Sequence, residues 1–284
     1  MAFKEYESPE LLREVQRVTV IVLAEFDRVC RLLDIPYVAY GGTAIGAVRH
    51  QGFIPWDDDV DVAMMRSDYE RFLAEAPAVL GDNFEIHNTR NHRDFTAVFS
   101  FLTLKGTQLV HEDIKDHSYR KPVSVDLFPL DNVADDPKLR RRQCRQAWFW
   151  GRLMYLSATG KPNVALTGWK RSLVLAITSA AHWAMRVLHM DGAWVQKHWD
   201  KVARRYENDT TELMADFSDL TPMAWAVTAE DMFPAVDAPF ENLTIKIPRD
   251  YDKVLTNGFG DYMELPPVEK RKNHAPYFID LGEY

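Results

Sequence analysis

Four aspartates fall within five residues in Trp56-Asp57-Asp58-Asp59-Val60-Asp61. Side chains alternate faces along an extended strand, so Asp57, Asp59 and Asp61 would point one way and Asp58 the other. Carboxylates that share a face repel one another unless a cation neutralises them. Mg²⁺ suits such a set, because it takes hard oxygen ligands, commonly one or two carboxylates with phosphates and waters. Val60 and Val62 would anchor the opposite face in the core. The plain alternative is a solvated acidic loop, but Trp56 and the Val-Asp-Val alternation argue for partial burial. A calcium loop would need Gly at its sixth position and Glu at its twelfth; Val62 and Asp68 stand there.

About sixteen residues upstream of this run, Tyr40-Gly41-Gly42-Thr43 reads as a tight turn after a strand. Its backbone can approach a ligand closely, and its N–H groups would face a phosphate at the start of a helix. It is neither a Walker A loop nor a Gly-x-Gly-x-x-Gly fingerprint. Arg49 and His50 follow in the same unit; Arg49 would clamp phosphate oxygens or form a surface ion pair. A further carboxylate, Asp126, lies in the apolar run Val123 to Phe128, where an unpaired charge is costly. Asp131 reads as a turn residue. The nine histidines form no zinc-ligand spacing and there is no Gly-x-Ser-x-Gly elbow. A phosphate-holding turn beside metal-holding acids implies phosphoryl or nucleotidyl transfer.

The elements that must position these groups are largely readable. Ser8-Pro9-Glu10 starts a helix, and Leu11, Val15, Val18, Val22, Phe26, Val29 and Leu33 line one face of it. Residues 35–40 and 60–64 read as strands, with Thr43 capping a short helix between them. Ser67 to Glu70 reads as a capping box for a helix that Pro77 ends. Residues 84–89, 96–104 and 123–128 read as further strands. From Asp136 the pattern turns helical over 137–158 and 168–209, with a break at Gly160-Lys161-Pro162-Asn163. The tail reads as a short strand or hairpin over 240–248, a short helix over 251–255 and an ordered loop. The reading is therefore an α/β (α+β) protein with a mixed sheet flanked by helices and a helical second half. Its divisions are a catalytic core over 1–135, a mostly helical acceptor-side region over 136–235, and a C-terminal segment over 236–284 that packs back on the core.

The 284 residues suffice for a sizeable core, and a 46% hydrophobic, 27% charged composition is that of a globular protein. A net charge of −8 argues against broad nucleic-acid binding. Two cysteines without metal spacing, and an N-terminus lacking a signal-peptide pattern, suit a cytoplasmic protein. The apolar stretch from Leu173 to Ala181 is too short for a span and reads as a buried helix, the rival being a helix on a membrane surface. The basic run Lys138 to Arg145 reads as solvated or paired, or as a site for an anionic glycan or headgroup. Trp148, Trp150, Tyr155, Trp183 and Trp194 read mainly as core, the alternative being an aromatic cage for a quaternary ammonium.

Three segments resemble the LicD family of phosphotransferases, related to fukutin and fukutin-related protein. They are Gly41 to His50, Gly52 to Asp61, and Val125-Asp126-Leu127-Phe128-Pro129-Leu130-Asp131. The tail adds a second match, in Ile247 to Tyr251, Leu255, Gly260 to Met263, Leu265 to Pro267, Arg271 and His274. Ala44-Ile45 stands where Leu-Leu is frequent, and Phe259 where Tyr is frequent. The resemblance implies a nucleotidyltransferase-like fold. It also implies transfer of a substituted phosphate, commonly phosphocholine from CDP-choline or another CDP-alcohol, to a sugar hydroxyl of a cell-surface glycan or its lipid-linked precursor. By that match Asp57, Asp59, Asp61 and Asp126 are the metal set, with Asp59, Asp61 and Asp126 at the chemistry. Gly41, Gly42, Thr43, Arg49 and His50 hold the donor. The expected cofactor is Mg²⁺, with Mn²⁺ as the alternative, and the expected partners are the CDP-alcohol and the glycan. Nucleic acid is not among the expected partners; peripheral contact with the inner membrane surface is. An NTP-dependent nucleotidyltransferase would use the same parts, and a non-catalytic glycan- or metal-binding protein is the reading from another class.

Overall fold

The computed structural model describes residues 6–111, 114, 115, 117, 119–162, 164, 166–271, 273 and 275–284. Residues 1–5, Asn163 and His274, used above, lie outside them.

Helix α1 (Pro9–Leu33) begins as its sequence dictates. The Ser8 hydroxyl accepts the Leu11 amide at 3.2 Å, Pro9 takes the first position, and Val15, Val18, Val22, Phe26 and Val29 are buried along one face. Strand β1 (Val38–Ala39) leads into α2 (Gly41–Ile45), which widens into a π-helical turn over Gly46–His50. The helix therefore starts at the glycines themselves, two residues before the expected Thr43 cap. Strand β2 (Asp61–Met65) follows, so only Asp61 of the acidic run is in a strand. The alternation nevertheless extends upstream of it: Asp58 and Val60 are buried while Asp57, Asp59 and Asp61 keep partial exposure.

Helix α3 (Arg66–Glu75) starts at Met65 without a side-chain cap, so the Ser67 capping box does not form; a 3₁₀ turn at Ala76–Ala78, carrying Pro77, ends it. Strands β3 (Phe84–His87), β4 (Ser100–Leu104), β5 (Gln108–Val110) and β6 (Ser124–Asn132) come next. Then follow α4 (Pro137–Ala158), α5 (Gly168–Val187), α6 (Gly192–Ala203), β7 (Met214–Ala215) and α7 (Ala229–Met232). The chain closes with hairpin β8 (Val236–Phe240) and β9 (Leu243–Ile247), α8 (Tyr251–Phe259) and β10 (Phe278–Asp280), which pairs with β5.

Among the described residues the main sheet has the order β1-β2-β6-β4-β3, with β7 on the far end of β6. It is mixed: β2 and β6 run parallel, the other pairs antiparallel. One face is largely apolar. Val62, Met64, Leu102, Leu104, Val125 and Leu127 pack there against α1 and α3, joined by Phe240, Ile245 and Leu255 of the tail. The other face carries Asp61 and Asp126 at one end. Further along it Ala63, Leu130 and Val38 pack under Met214, Val227, Met232 and Val254.

A second core lies between α4 and α6, where Ala147, Met154, Val195 and Trp199 are buried. Gln143 stitches this unit to β6: its amide donates to the Asn132 and Ala203 carbonyls and accepts from Ala134 N–H. Asp131, expected in a turn, is instead a buried β6 residue in a bidentate pair with Arg66 at 2.8 and 2.6 Å. Helix α5 departs from its expectation as a buried helix. Thr178 and Ser179 bond the Gly160 carbonyl and His182 bonds that of Leu156, but among its described residues Met185 alone is buried.

Candidate active site

Parallel pairing of β2 with β6 sets Asp61 directly opposite Asp126, and the Asp126 amide donates to Val60 O at 2.9 Å. The register, and hence the shared face of the two carboxylates, is fixed by the buried alternation on either side. The glycine turn is bolted to the same residue from both directions. Tyr40 N–H donates to Asp61 O, and the Asp61 N–H donates to the Thr43 hydroxyl, both at 2.9 Å. Thr43 thus holds the turn on the strand.

The two glycines are required by what leans on them. Gly41 has φ +54°, a left-handed conformation, and a Cβ there would meet Asp61 Oδ2 at 3.6 Å. A Cβ on Gly42 would stand 2.8 Å from Asp57 Oδ2. The backbone of the turn and the carboxylates of Asp57 and Asp61 therefore line one space. Asp58 turns away and takes the Tyr6 hydroxyl on Oδ2 at 2.6 Å.

The electrostatics of this space are lopsided. The Asp61 carboxyl is pushed well above the usual carboxylate range, first by burial, then by Asp59, Asp126 and Asp57; the Lys121 ammonium works the other way. Lys121 Nζ reaches both Asp126 oxygens at 2.9 and 3.0 Å, Ser124 Oγ donates to Oδ1 at 2.9 Å, and the ammonium sits 4.1 Å over the Phe101 ring. Asp61 and Asp126 thus share the Lys121 ammonium, while Asp57 and Asp59 add negative charge beside Asp61. Such a set is chemically suited to a hard divalent cation. Among the described residues, however, no three acidic, imidazole or thiol groups already converge as one ligand shell.

Arg49 lies at the other end of the glycine helix. It forms no ion pair among the described residues: it donates to the Tyr262 and Glu264 carbonyls of the tail, and its Nε to His50 Nε2 at 2.9 Å. Burial, and then Arg271 nearby, lower its proton affinity. His50 is held below the usual imidazole range by burial and by Arg49, which suits its acceptor role. Arg271 lies 4.7 Å over Trp56, the residue before the acidic run. Two guanidiniums without an acidic partner among the described residues therefore lie beside the glycine helix and the start of the acidic run.

Residues 34–134 match the family model described as LicD/FKTN/FKRP, nucleotidyltransferase domain. Over 279 residues, covering 93% of this chain and 95% of the other, the sequence is 28% identical to the lipopolysaccharide cholinephosphotransferase LicD of Haemophilus influenzae. The chain thus carries a LicD-type nucleotidyltransferase domain over residues 34–134 and is similar to a LicD cholinephosphotransferase along nearly its whole length. An uncharacterized protein of Rickettsia typhi is 51% identical over 44 residues, 16% of this chain and 14% of that one. The LicD-type domain spans β1 to β6, and so holds Asp57, Asp59, Asp61, Asp126 and the glycine turn.

Sequence reasoning missed Lys121, the cation the structure puts on Asp126. It precedes Pro122 outside any periodic segment, so only its distance of five residues from Asp126 hinted at the contact. The acidic residue Asp216 was missed as well. It is buried near Tyr40, and its carboxyl is pushed up to about 7 mainly by burial.

Proposed function

We propose that the protein transfers a substituted phosphate, phosphocholine from CDP-choline being the first candidate, to a hydroxyl of a cell-surface glycan. The observation that carries this reading is the shared space of Asp57 and Asp61 against the Gly41-Gly42 backbone, with Asp126 opposite Asp61 in the sheet and Asp59 close enough to raise the Asp61 carboxyl. The similarity to a lipopolysaccharide cholinephosphotransferase over nearly the whole chain supports the donor and acceptor classes.

In this mechanism Asp59 and Asp61, aided by Asp57, would hold Mg²⁺, which supplies positive charge to the diphosphate and the departing CMP. The turn amides and the Arg49–Arg271 pair orient the donor's phosphates. The acceptor oxygen attacks phosphorus, a new P–O bond forms as the P–O bond to CMP breaks, and the hydroxyl proton passes to a carboxylate. Asp126 is assigned that role, because Lys121 already occupies both its oxygens and competes with a second metal ion there.

A pocket of about 190 Å³ suits the alcohol or the acceptor. Phe99, Trp148, Tyr155 and Asp219 line it, with Arg152 over the Trp148 ring at 5.8 Å. Phe99 packs at a tilt, 4.2 Å between ring centroids, on Phe128, two residues beyond Asp126 on the same sheet face. Of the aromatic residues singled out in the sequence, Trp148 and Tyr155 line this pocket, whereas Trp150 and Trp194 pack with His198. Aromatic faces with a carboxylate are the surroundings a quaternary ammonium prefers.

The test is incubation with Mg²⁺ and a panel of CDP-alcohols or NTPs, with and without glycan acceptors. CMP release dependent on acceptor supports the proposal. The matched nucleotidyltransferase domain favours one second reading, transfer of a nucleotide from an NTP; pyrophosphate release without CMP release would select it.

A further inference from the structure

Helix α5 is 20 residues long, and its outward face is apolar from end to end. Trp169 is 71% exposed, Ile177 58%, Trp183 67% and Val187 71%, with Leu173 and Leu188 exposed beside them. At 100° per residue these side chains lie opposite Thr178, His182 and Met185, which face α4. The helix is therefore pinned by one polar stripe and shows water the face that a helix normally buries. Single exposed apolar residues are ordinary, but a stripe of this length marks a contact surface.

Charge identifies the contact. From Lys138 to Arg205 the chain holds fourteen Lys and Arg but two Asp and Glu, within a protein whose net charge is −8. Both acids are engaged: Asp191 caps α6 by accepting Trp194 N–H, and Asp200 accepts from Gln196. Lys170 and Arg186 border the apolar stripe on its two sides and have no acidic partner among the described residues. A basic, Trp-bearing amphipathic helix is built to lie in the plane of an anionic bilayer surface. Spanning is disfavoured. No single helix among the described residues is long and apolar enough, and α5 passes only together with the segment Gly192–Tyr206, bent 97° from it. That segment contributes Val195 and Trp199 to the core.

We infer that α5 docks the protein on a membrane rich in anionic lipid, its apolar stripe at the acyl boundary and its cations among the headgroups. The inference does not depend on the reaction proposed above. The experiment is flotation of the full chain with phosphatidylcholine vesicles that contain or lack phosphatidylglycerol. The chain should float with the anionic vesicles and stay behind with the neutral ones. Ile177→Glu/Trp183→Glu and Lys170→Glu/Arg186→Glu should each lower partitioning about tenfold or more while leaving the thermal melt unchanged. Quenching of wild-type tryptophan fluorescence by acyl-chain-brominated lipid gives a reading that needs no variant. Failure of the wild type to float, equal flotation with both vesicles, undiminished flotation of either variant, or absence of quenching would overturn the inference. So would a lipid-free dimer that Ile177→Glu disperses, since a second copy would then cover the face.

Discussion

The two halves of this protein handle charge in opposite ways. At the sheet, acidic groups are drawn together and partly enclosed, so Asp61 is held where it resists ionisation. In the helical unit, cations spread over the outside, and the apolar side chains of α5 join them there above the core between α4 and α6. Neither arrangement benefits the isolated folded chain, since crowded carboxylates repel and exposed apolar area gains nothing in water. The lesson is that each half calls for something of opposite character; in the reading proposed above this is a cation with a phosphate donor at the sheet and a negatively charged surface at the helices.

The comparison can be broken first at the sheet. Asp59→Asn should slow turnover on the order of 10³-fold or more, the scale of charge-stabilising terms. Circular dichroism should be unchanged and Tm no lower, because the lost charge is a repulsive one. Lys121→Met should slow turnover roughly 10²-fold, by freeing Asp126 from its oriented pair; a rate within twofold of wild type would remove Lys121 from the site.

Stability contrasts sharpen it next. Trp199→Ala in the helical core should cost about 3–5 kcal/mol in denaturant unfolding, whereas Ile177→Ala on α5 should lie within about 0.5 kcal/mol of wild type. Equal costs would mean that α5 is packed, and would erase the distinction between that helix and the core beneath it.

The smallest effect is a pH dependence. Folded Asp216 titrates at about 7, against 3.8 for an unperturbed carboxyl. The folded protein therefore holds a proton that the unfolded chain has released between these values, and stability falls as pH rises through about 7. Asp216→Asn keeps the acceptor for Ser218 N–H and carries no charge. It should raise Tm by a few degrees at pH 8 and leave it unchanged near pH 4, as differential scanning calorimetry would show.

How far sequence carried the account follows from the range of each interaction. Local signals worked: Ser8 and Pro9 start α1, Pro77 ends α3, and the alternation of Asp57 to Asp61 survives outside a strand. Asp61 and Asp126 were chosen for their residue types and apolar neighbours, and the β2–β6 register brings them opposite each other. Long-range partners were not legible. Asp131 looked like a turn residue because Arg66, which neutralises it, lies 65 residues away. Lys121 meets Asp126 across a bend that no period encodes. Leu173 to Ala181 looked buried because hydropathy says only that a side chain avoids water, and not whether protein or another phase shelters it.

The most direct measurement of the central claim is CMP release by Asp61→Asn beside wild type, with CDP-choline, Mg²⁺ and a glycan acceptor, both proteins first shown to melt alike. The account predicts release by the wild type and a loss on the order of 10³-fold in the variant. Turnover of Asp61→Asn close to that of wild type would contradict it, because the carboxylate space beside Gly41 and Gly42 would then have no part in the reaction.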